Sequence, residues 1–222
     1  MERRVMFKSG DLLLEGMLHV PSGLEHKASA VAVCHPHPLY GGSMHNIIVE
    51  EVCRALEDEG IIALRFNFRG VGSSEGTYQE GIGERIDVTS AIDFLTSIDT
   101  VDPDSLGVAG YSFGAYVATY AASEDPRIDV LALVSPPFSM YSFEPLNTCR
   151  KPKLIVWGSR DELVGFSAVE VAKVVAEPRK LILIEEADHF WTGHEVRVGK
   201  LVASFFKNAF KGLPKDNASE KP

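Results

Sequence analysis

Short runs of apolar residues alternate along the chain with longer segments in which apolar residues recur at helical spacing. A continuous apolar run rich in β-branched residues is typical of a strand buried on both faces of a parallel sheet. Such runs predict six strands, at 30–34, 61–66, 106–109, 130–134, 154–157 and 181–184. The remaining segments predict helices near 43–59, 81–97, 113–123, 166–176 and 193–210. Alternating strands and helices predict crossover connections and a parallel sheet with helices on both faces.

The first twenty residues follow a different pattern. Residues 5–7 and 12–20 are two β-rich runs on either side of Ser9-Gly10-Asp11, an arrangement that predicts an antiparallel hairpin. We therefore predict an α/β domain over residues 1–211, in which this hairpin joins a mostly parallel central sheet. The polar, proline-flanked segment 212–222 is expected to be a disordered tail.

Composition limits the classes of partner. The 222 residues carry 22 Lys and Arg against 31 Asp and Glu, for a formal charge of −9. Phosphate surfaces do not attract an acidic chain, so neither nucleic acid nor a membrane is an expected partner. The chain shows no secretory signal, and no window approaches the roughly 20 apolar residues of a membrane span. Three scattered cysteines, Cys34, Cys53 and Cys149, lack metal-like or redox-like spacing, which favours reduced thiols in a cytoplasmic protein.

The pentapeptide Gly110-Tyr111-Ser112-Phe113-Gly114 lies between a predicted strand and a predicted helix. In that context a Gly-x-Ser-x-Gly sequence predicts a tight turn that exposes the serine oxygen. The N-terminus of the following helix adds positive potential where negative charge would develop. The same five residues can also form an ordinary glycine turn, so a nucleophilic role for Ser112 depends on a base and an acid elsewhere.

A serine hydroxyl becomes a good nucleophile when a base takes its proton and an acid orients that base. Two histidines lie downstream of Ser112. His189 follows the predicted strand 181–184 and is the candidate base. His194 lies close to the last predicted helix and is expected to be a solvated or capping residue.

The candidate acid is Asp161, which follows the predicted strand 154–157. Ser112, Asp161 and His189 all come after strands of one parallel sheet, so they can converge at one edge of it. Glu162 and Asp188 are alternatives for the acid.

Acyl transfer also needs backbone donors for the oxyanion of the tetrahedral intermediate. The amide of Phe113, directly after Ser112, is one candidate. The second donor is expected from the loop after strand 30–34, where Pro36 and Pro38 have no amide hydrogen to donate. The remaining candidates in that loop are His37, Leu39 and Tyr40.

Neither a metal nor a cofactor is predicted. His35 and His37 have no carboxylate or cysteine partner at a fitting spacing, which favours structural hydrogen bonding over metal binding. A serine, histidine and aspartate mechanism requires no cofactor.

The chain resembles the α/β-hydrolase superfamily, and within it the small, lid-poor carboxylesterase-like hydrolases and relatives of the dienelactone hydrolases. The resemblance covers about residues 1–210 and implies the α/β-hydrolase fold. The segments that carry it are 35–42, 67–74, 110–114, 158–161 and 188–190. The usual His-Gly oxyanion signature is replaced here by the proline-rich loop. Position 112 is serine, whereas dienelactone hydrolases proper carry cysteine and haloalkane dehalogenases carry aspartate, so neither of those activities is implied.

Many members of the superfamily insert a cap after the sixth strand. Here the stretch 135–151 leaves room only for a short excursion, so the resemblance implies a domain with no cap and an open site. An open site suits short or water-soluble acyl esters better than long-chain lipid. The aromatic residues expected to line the acyl pocket are Phe138, Tyr141, Phe143 and Trp191, together with Tyr40.

The sequence therefore predicts a serine esterase that cleaves small carboxylic esters through an acyl-enzyme. One triad also serves thioesters and peptides, so a thioesterase or a peptidase stays open. A non-catalytic binding protein is a further alternative, because the fold alone does not establish activity. No oligomeric state is predicted.

Overall fold

A computed structural model describes residues 1–213; the rest of the expected tail, 214–222, lies outside the described residues. Eight strands form one sheet in the order β1-β2-β4-β3-β5-β6-β7-β8. The strands are β1 (Glu2–Ser9), β2 (Leu12–His19), β3 (Ala28–Cys34), β4 (Ile62–Phe66), β5 (Val101–Tyr111), β6 (Ile128–Val134), β7 (Lys153–Gly158) and β8 (Arg179–Ile184). The first two pair antiparallel, and β2 pairs antiparallel with β4. All other neighbours are parallel. The predicted mixed sheet with its antiparallel N-terminal hairpin is confirmed.

In the described residues, five α-helices cover the two faces of the sheet. They are α1 (Ile47–Asp58), α2 (Ile82–Thr96), α3 (Phe113–Glu124), α4 (Ala168–Val174) and α5 (Glu195–Lys211). Buried residues of α1 and α5 form one apolar core with one face of the sheet, and those of α2, α3 and α4 form a second core with the other. Each strand with core residues on both sides therefore needs the continuous apolar run seen in the sequence.

Helix α1 begins four residues later than predicted. The amide of Asn46 donates to the carbonyl of Ser43 at 3.0 Å, which closes a turn before the helix. The Asn46 side-chain oxygen then accepts a hydrogen bond from the amide of Ile48 at 2.9 Å. This N-cap satisfies an amide that has no partner within the helix and fixes where α1 starts.

The connection from β6 to β7 contains no cap domain. Its described residues, 135–152, form short turns and a single 3₁₀ turn at Glu144–Asn147. Phe138, Phe143 and Leu146 point back into the core rather than building a separate layer. Within residues 1–213, no helix has both the length and the apolarity that crossing a bilayer requires.

Candidate active site

Three side chains from separate loops meet at the carboxyl edge of the sheet. Ser112 follows β5, Asp161 follows β7 and His189 follows β8. The distance from His189 Nε2 to Ser112 Oγ is 3.0 Å, and that from His189 Nδ1 to Asp161 Oδ1 is 2.8 Å. Both distances are within hydrogen-bonding range, so the three residues predicted from the sequence form one continuous chain of contacts.

Ser112 lies on a strained turn between β5 and α3. Its backbone angles are φ 56° and ψ −120°, a region that non-glycine residues rarely occupy. A β-carbon at Gly114 would overlap the carbonyl oxygens of Cys34 and His35, so only glycine allows the start of α3 to lie against the end of β3. This close approach places the loop that follows β3 beside Ser112.

Asp161 is held by the loop that carries His189. The amide of Arg160 donates to the carbonyl of Ala187 at 2.9 Å, and a β-carbon at Gly158 would overlap that same carbonyl. The two loops therefore pack backbone to backbone, which sets the distance between the acid and the histidine.

The Asp161 carboxylate is fully buried, and its hydrogen bonds all fall on one oxygen. Besides His189 Nδ1, Oδ1 accepts from the amides of Leu163 at 3.2 Å and Val164 at 3.3 Å. The other oxygen, Oδ2, has no hydrogen-bond partner among the described residues. A buried carboxylate that is supported on one side only depends on these few donors, His189 Nδ1–H among them, for its stabilisation.

The two alternative acids do not contact His189. Glu162 is exposed. The carboxylate of Asp188 accepts hydrogen bonds from the amide and hydroxyl of Thr192, at 3.0 and 3.1 Å. The backbone hydrogen bond from Thr192 lowers the pKa of Asp188, so this group is an anion that stabilises its own turn.

Tyr111 supports His189 and was not singled out from the sequence. Its hydroxyl donates to the backbone carbonyl of His189 at 2.8 Å, and its ring lies 5.7 Å from the imidazole. Burial raises the pKa of Tyr111, so the hydroxyl keeps its proton for this bond. The sequence signal that could have identified Tyr111 was its position directly before Ser112 in the pentapeptide. A residue in that position ends β5 and therefore lies beside the neighbouring strands.

The loop after β3 is folded around His37. The amide of Leu39 donates to His37 Nδ1 at 3.2 Å, and the amide of Tyr40 donates to the His37 carbonyl at 3.1 Å. Two of the three predicted loop donors are therefore engaged inside the loop. Within residues 1–213, the amides of His37 and Phe113 have no hydrogen-bond partner.

The other histidines near the site have structural surroundings. His35 Nε2 accepts from the amide of Phe68 at 3.1 Å, so its Nδ1 carries the proton and donates to the Pro36 carbonyl at 2.6 Å. Burial lowers the pKa of His35 to about 4, which keeps the ring neutral in this role. His194 stands at the N-cap of α5, where its side chain makes no capping bond. Residues 1–213 contain no group of three side chains suited to a metal.

A cavity of about 270 Å³ opens beside Ser112. Apart from Ser112 and His189, the side chains and backbone around it come from Pro36, His37, Tyr40, Gly41, Gly42, Asn46, Tyr111, Leu163 and Phe190. Tyr40, Leu163 and Phe190 are exposed, so the cavity has an apolar rim.

The pocket prediction is corrected at four of its five aromatic residues, because only Tyr40 borders this cavity. Trp191 is fully buried, and its indole N–H donates to Ser135 Oγ at 3.0 Å. Phe138 and Phe143 pack against each other in the core. Tyr141 stacks on Tyr116 with ring centroids 4.7 Å apart. The connection from β6 to β7 is so short that Phe138 and Phe143 belong to the core beneath it, and Tyr141 lies half-buried against that core.

Known proteins with the same fold include several hydrolases. A family model described as an alpha/beta hydrolase domain matches residues 34–211. The uncharacterized protein RP471 of Rickettsia prowazekii is 35% identical over 173 residues, which cover 74% of this chain and 72% of that protein. A solved α/β serine hydrolase homologue from Coxiella burnetii is 33% identical with a TM-score of 0.81, over 91% of this chain and 96% of that one.

A second solved structure bears on the missing cap. It is a protein of Xanthomonas campestris described as an α/β serine hydrolase without lid, 27% identical with a TM-score of 0.82. The match covers 96% of this chain and 97% of that one. By sequence, sheet order and structural likeness, this chain belongs to the α/β-hydrolase family.

Proposed function

We propose that the protein is a serine esterase that hydrolyses small carboxylic esters with short acyl groups. The observation that carries this proposal is the chain of contacts from Ser112 Oγ through His189 to Asp161, at 3.0 and 2.8 Å. Nucleophile, base and orienting acid in this geometry are the requirements for covalent acyl transfer.

In the proposed mechanism, Ser112 Oγ attacks the ester carbonyl while His189 Nε2 takes the hydroxyl proton. Asp161 Oδ1 accepts from Nδ1–H, which keeps Nε2 free to act as a base and stabilises the imidazolium that forms. The imidazolium then gives the proton to the departing alkoxide. Water, activated by the same histidine, hydrolyses the acyl-serine and restores the enzyme.

The oxyanion that forms on the carbonyl oxygen would be bound by two backbone amides. Those of Phe113 and His37 are proposed, since neither has a hydrogen-bond partner within residues 1–213 and the two side chains pack with ring centroids 4.9 Å apart. The amides of Leu39 and Tyr40 would have to give up their hydrogen bonds within the loop first. Phe113 also begins α3, whose N-terminal dipole favours negative charge at this position.

The preference for short acyl groups follows from the shape of the site. The cavity beside Ser112 measures about 270 Å³, and no cap in the described chain encloses a longer apolar ligand above it. Each further methylene beyond the cavity would stay in water and add little of the roughly 0.8 kcal/mol that a buried methylene contributes.

We expect hydrolysis of p-nitrophenyl esters to be fastest with acetate or butyrate and to decline through octanoate to palmitate. The leaving group is constant in this series, so differences in kcat/KM report on the acyl group alone. The measurement is kcat/KM below the micelle concentration of each ester. Efficient hydrolysis of palmitate with poor turnover of butyrate would contradict the proposed acyl preference.

The same residues would also attack a thioester or an amide. Oxygen esters are proposed because the cavity is bordered mainly by apolar and aromatic side chains, with no Lys or Arg to bind the phosphates of a coenzyme thioester. Butyryl esters, butyryl thioesters and butyryl anilides, compared at equal concentration, separate the three activities.

The proposed setting is the cytoplasm, with a small molecule as substrate. All three cysteines are free thiols, and burial raises the pKa of Cys34 and Cys53, which disfavours the reactive thiolate. The formal charge of −9 supports a protein that works without nucleic acid or a membrane surface.

A further inference from the structure

We propose that Tyr78 is a positioning residue that holds the oxyanion loop by fixing the side chain of His37. The proposal rests on the function proposed above, in which the His37 amide is an oxyanion donor. Tyr78 is distant from His37 in sequence and belongs to the connection between β4 and α2.

The contact between the two residues has a defined direction. Tyr78 Oη lies 3.2 Å from His37 Nε2, while His37 Nδ1 accepts the amide hydrogen of Leu39 at 3.2 Å. A neutral imidazole carries one proton, so Nδ1 is the acceptor and Nε2–H donates to the tyrosine oxygen. Both edges of the His37 ring are therefore fixed, one by its own loop and one by Tyr78.

Tyr78 also contacts the residue that bears the other proposed donor. Its ring centroid is 5.8 Å from that of Phe113, and the Phe113 ring is 4.9 Å from His37. The three side chains pack against one another, and two of them belong to the residues with unpartnered amides. A shift of Tyr78 would move both donors relative to Ser112.

Gln79, the residue after Tyr78, is anchored through both its backbone and its side chain. The buried carboxylate of Glu84 accepts hydrogen bonds from the amides of Gln79 at 2.8 Å and Gly81 at 2.7 Å. Arg69 donates to the Gln79 side chain at 2.5 Å and pairs with the buried Asp87 at 2.8 Å. The hydroxyl is thus presented from a rigid support.

The chemistry of the hydroxyl suits this role. Burial raises the pKa of Tyr78 to about 12, so the oxygen stays a neutral acceptor over the working range of an esterase. Because an oxyanion donor acts on the transition state more than on the bound ester, misplacing it lowers kcat and leaves KM nearly unchanged.

We expect Tyr78→Phe to lower kcat for p-nitrophenyl butyrate by about tenfold, a fraction of the ~10²- to 10³-fold lost when an oxyanion donor is removed entirely. KM should change by less than about twofold. Binding of a trifluoromethyl ketone, which forms an oxyanion on Ser112, should weaken in proportion to the loss in kcat.

Tyr116→Phe is the matched control. The Tyr116 ring also packs on Phe113, with centroids 6.1 Å apart, and its hydroxyl also accepts a hydrogen bond, but from Arg85 at 3.1 Å. Both variants lose a phenol hydroxyl from the same aromatic cluster, and only one of them loses the bond to His37. Thermal unfolding of both variants separates a loss of stability from a loss of positioning.

A double-mutant cycle with His37→Asn completes the test. Asparagine can still accept the Leu39 amide hydrogen but has no group in the place of Nε2. The combined variant should therefore lose no more kcat than the more impaired single variant. Equal kcat in Tyr78→Phe and Tyr116→Phe, or losses that multiply in the double variant, would overturn the proposal. A wild type that hydrolyses no ester would overturn both this proposal and the proposed function.

Discussion

Ser112→Ala is expected to lower kcat for p-nitrophenyl butyrate by about 10⁴- to 10⁶-fold, the range found when the nucleophile of such a triad is removed. The loss follows from the single contact between Ser112 Oγ and His189 Nε2 at 3.0 Å, since no acyl-enzyme can form without the oxygen. KM should change little, because the cavity and the two unpartnered amides remain. The measurement is steady-state hydrolysis at several enzyme concentrations, which separates the residual rate from the spontaneous one.

Ser123→Ala is the control for this variant. Ser123 is an exposed residue of the same helix, α3, and in the described part of the chain its hydroxyl bonds only the carbonyl of Tyr120, at 2.8 Å. Its replacement should leave kcat within about twofold of the wild type, as for most surface substitutions. Activity of Ser112→Ala above a few per cent of the wild type would mean that another group is the nucleophile.

The second large effect is expected at Asp161. Asp161→Ala removes the acceptor for His189 Nδ1–H and leaves the amides of Leu163 and Val164 without their partner. Loss of the orienting acid allows the wrong tautomer and should lower kcat by about 10⁴-fold. Asp161→Asn should cost less than Asp161→Ala, because all three hydrogen bonds fall on Oδ1 and an amide oxygen in that place can still accept them. The asparagine loses only the negative charge that stabilises the imidazolium.

Comparing kcat of Asp161→Asn with that of Asp161→Ala tests directly whether the hydrogen bonds of Asp161 all fall on Oδ1. Asp188→Asn is the control, since its carboxylate bonds Thr192 and not His189, and it should keep kcat within about twofold. Rates are compared at a pH near neutrality with p-nitrophenyl butyrate. If Asp161→Asn is as impaired as Asp161→Ala, the amide has rotated and donates toward His189, and the argument from Oδ1 is wrong.

Much of the fold was predictable because the buried strands and amphipathic helices of this architecture produce distinct patterns of hydrophobic residues in the sequence. Strands such as β6 and β7 are buried on both faces, so residues 130–134 and 154–157 are continuous apolar runs, and a helix such as α1 is long enough to show its own period. In the order of the sequence, Ser112, Asp161 and His189 also each follow a strand of one parallel sheet. Convergence at its carboxyl edge then follows from topology.

The pocket could not be predicted in the same way. Trp191 follows His189 closely in sequence, yet its ring turns inward to bond Ser135, whereas its neighbour Phe190 remains exposed at the cavity. Which of two adjacent aromatic residues faces the core depends on local backbone angles, and Trp191 has a positive φ of 60°. The hydrophobicity of the sequence is the same whichever of the two side chains faces the core, so the pattern does not distinguish the two arrangements.

Long-range polar contacts could not be predicted from the sequence either. Nothing in the segment around Tyr78 indicates that its hydroxyl bonds His37, because the pairing depends on how two loops from β3 and β4 fold over the sheet edge. The engagement of the Leu39 and Tyr40 amides within their own loop likewise depends on exact backbone geometry. Sequence narrowed the second oxyanion donor to three residues, and the hydrogen bonds of the loop favour His37.

The most direct test of the central claim is covalent labelling of the wild-type protein with a fluorophosphonate, followed by peptide mass spectrometry. Such reagents phosphonylate a serine only when a base activates it and an oxyanion site accepts the phosphonyl oxygen. The account predicts one phosphonyl group per chain, on Ser112, with parallel loss of esterase activity. An unlabelled protein, or a label on any other residue, would contradict it.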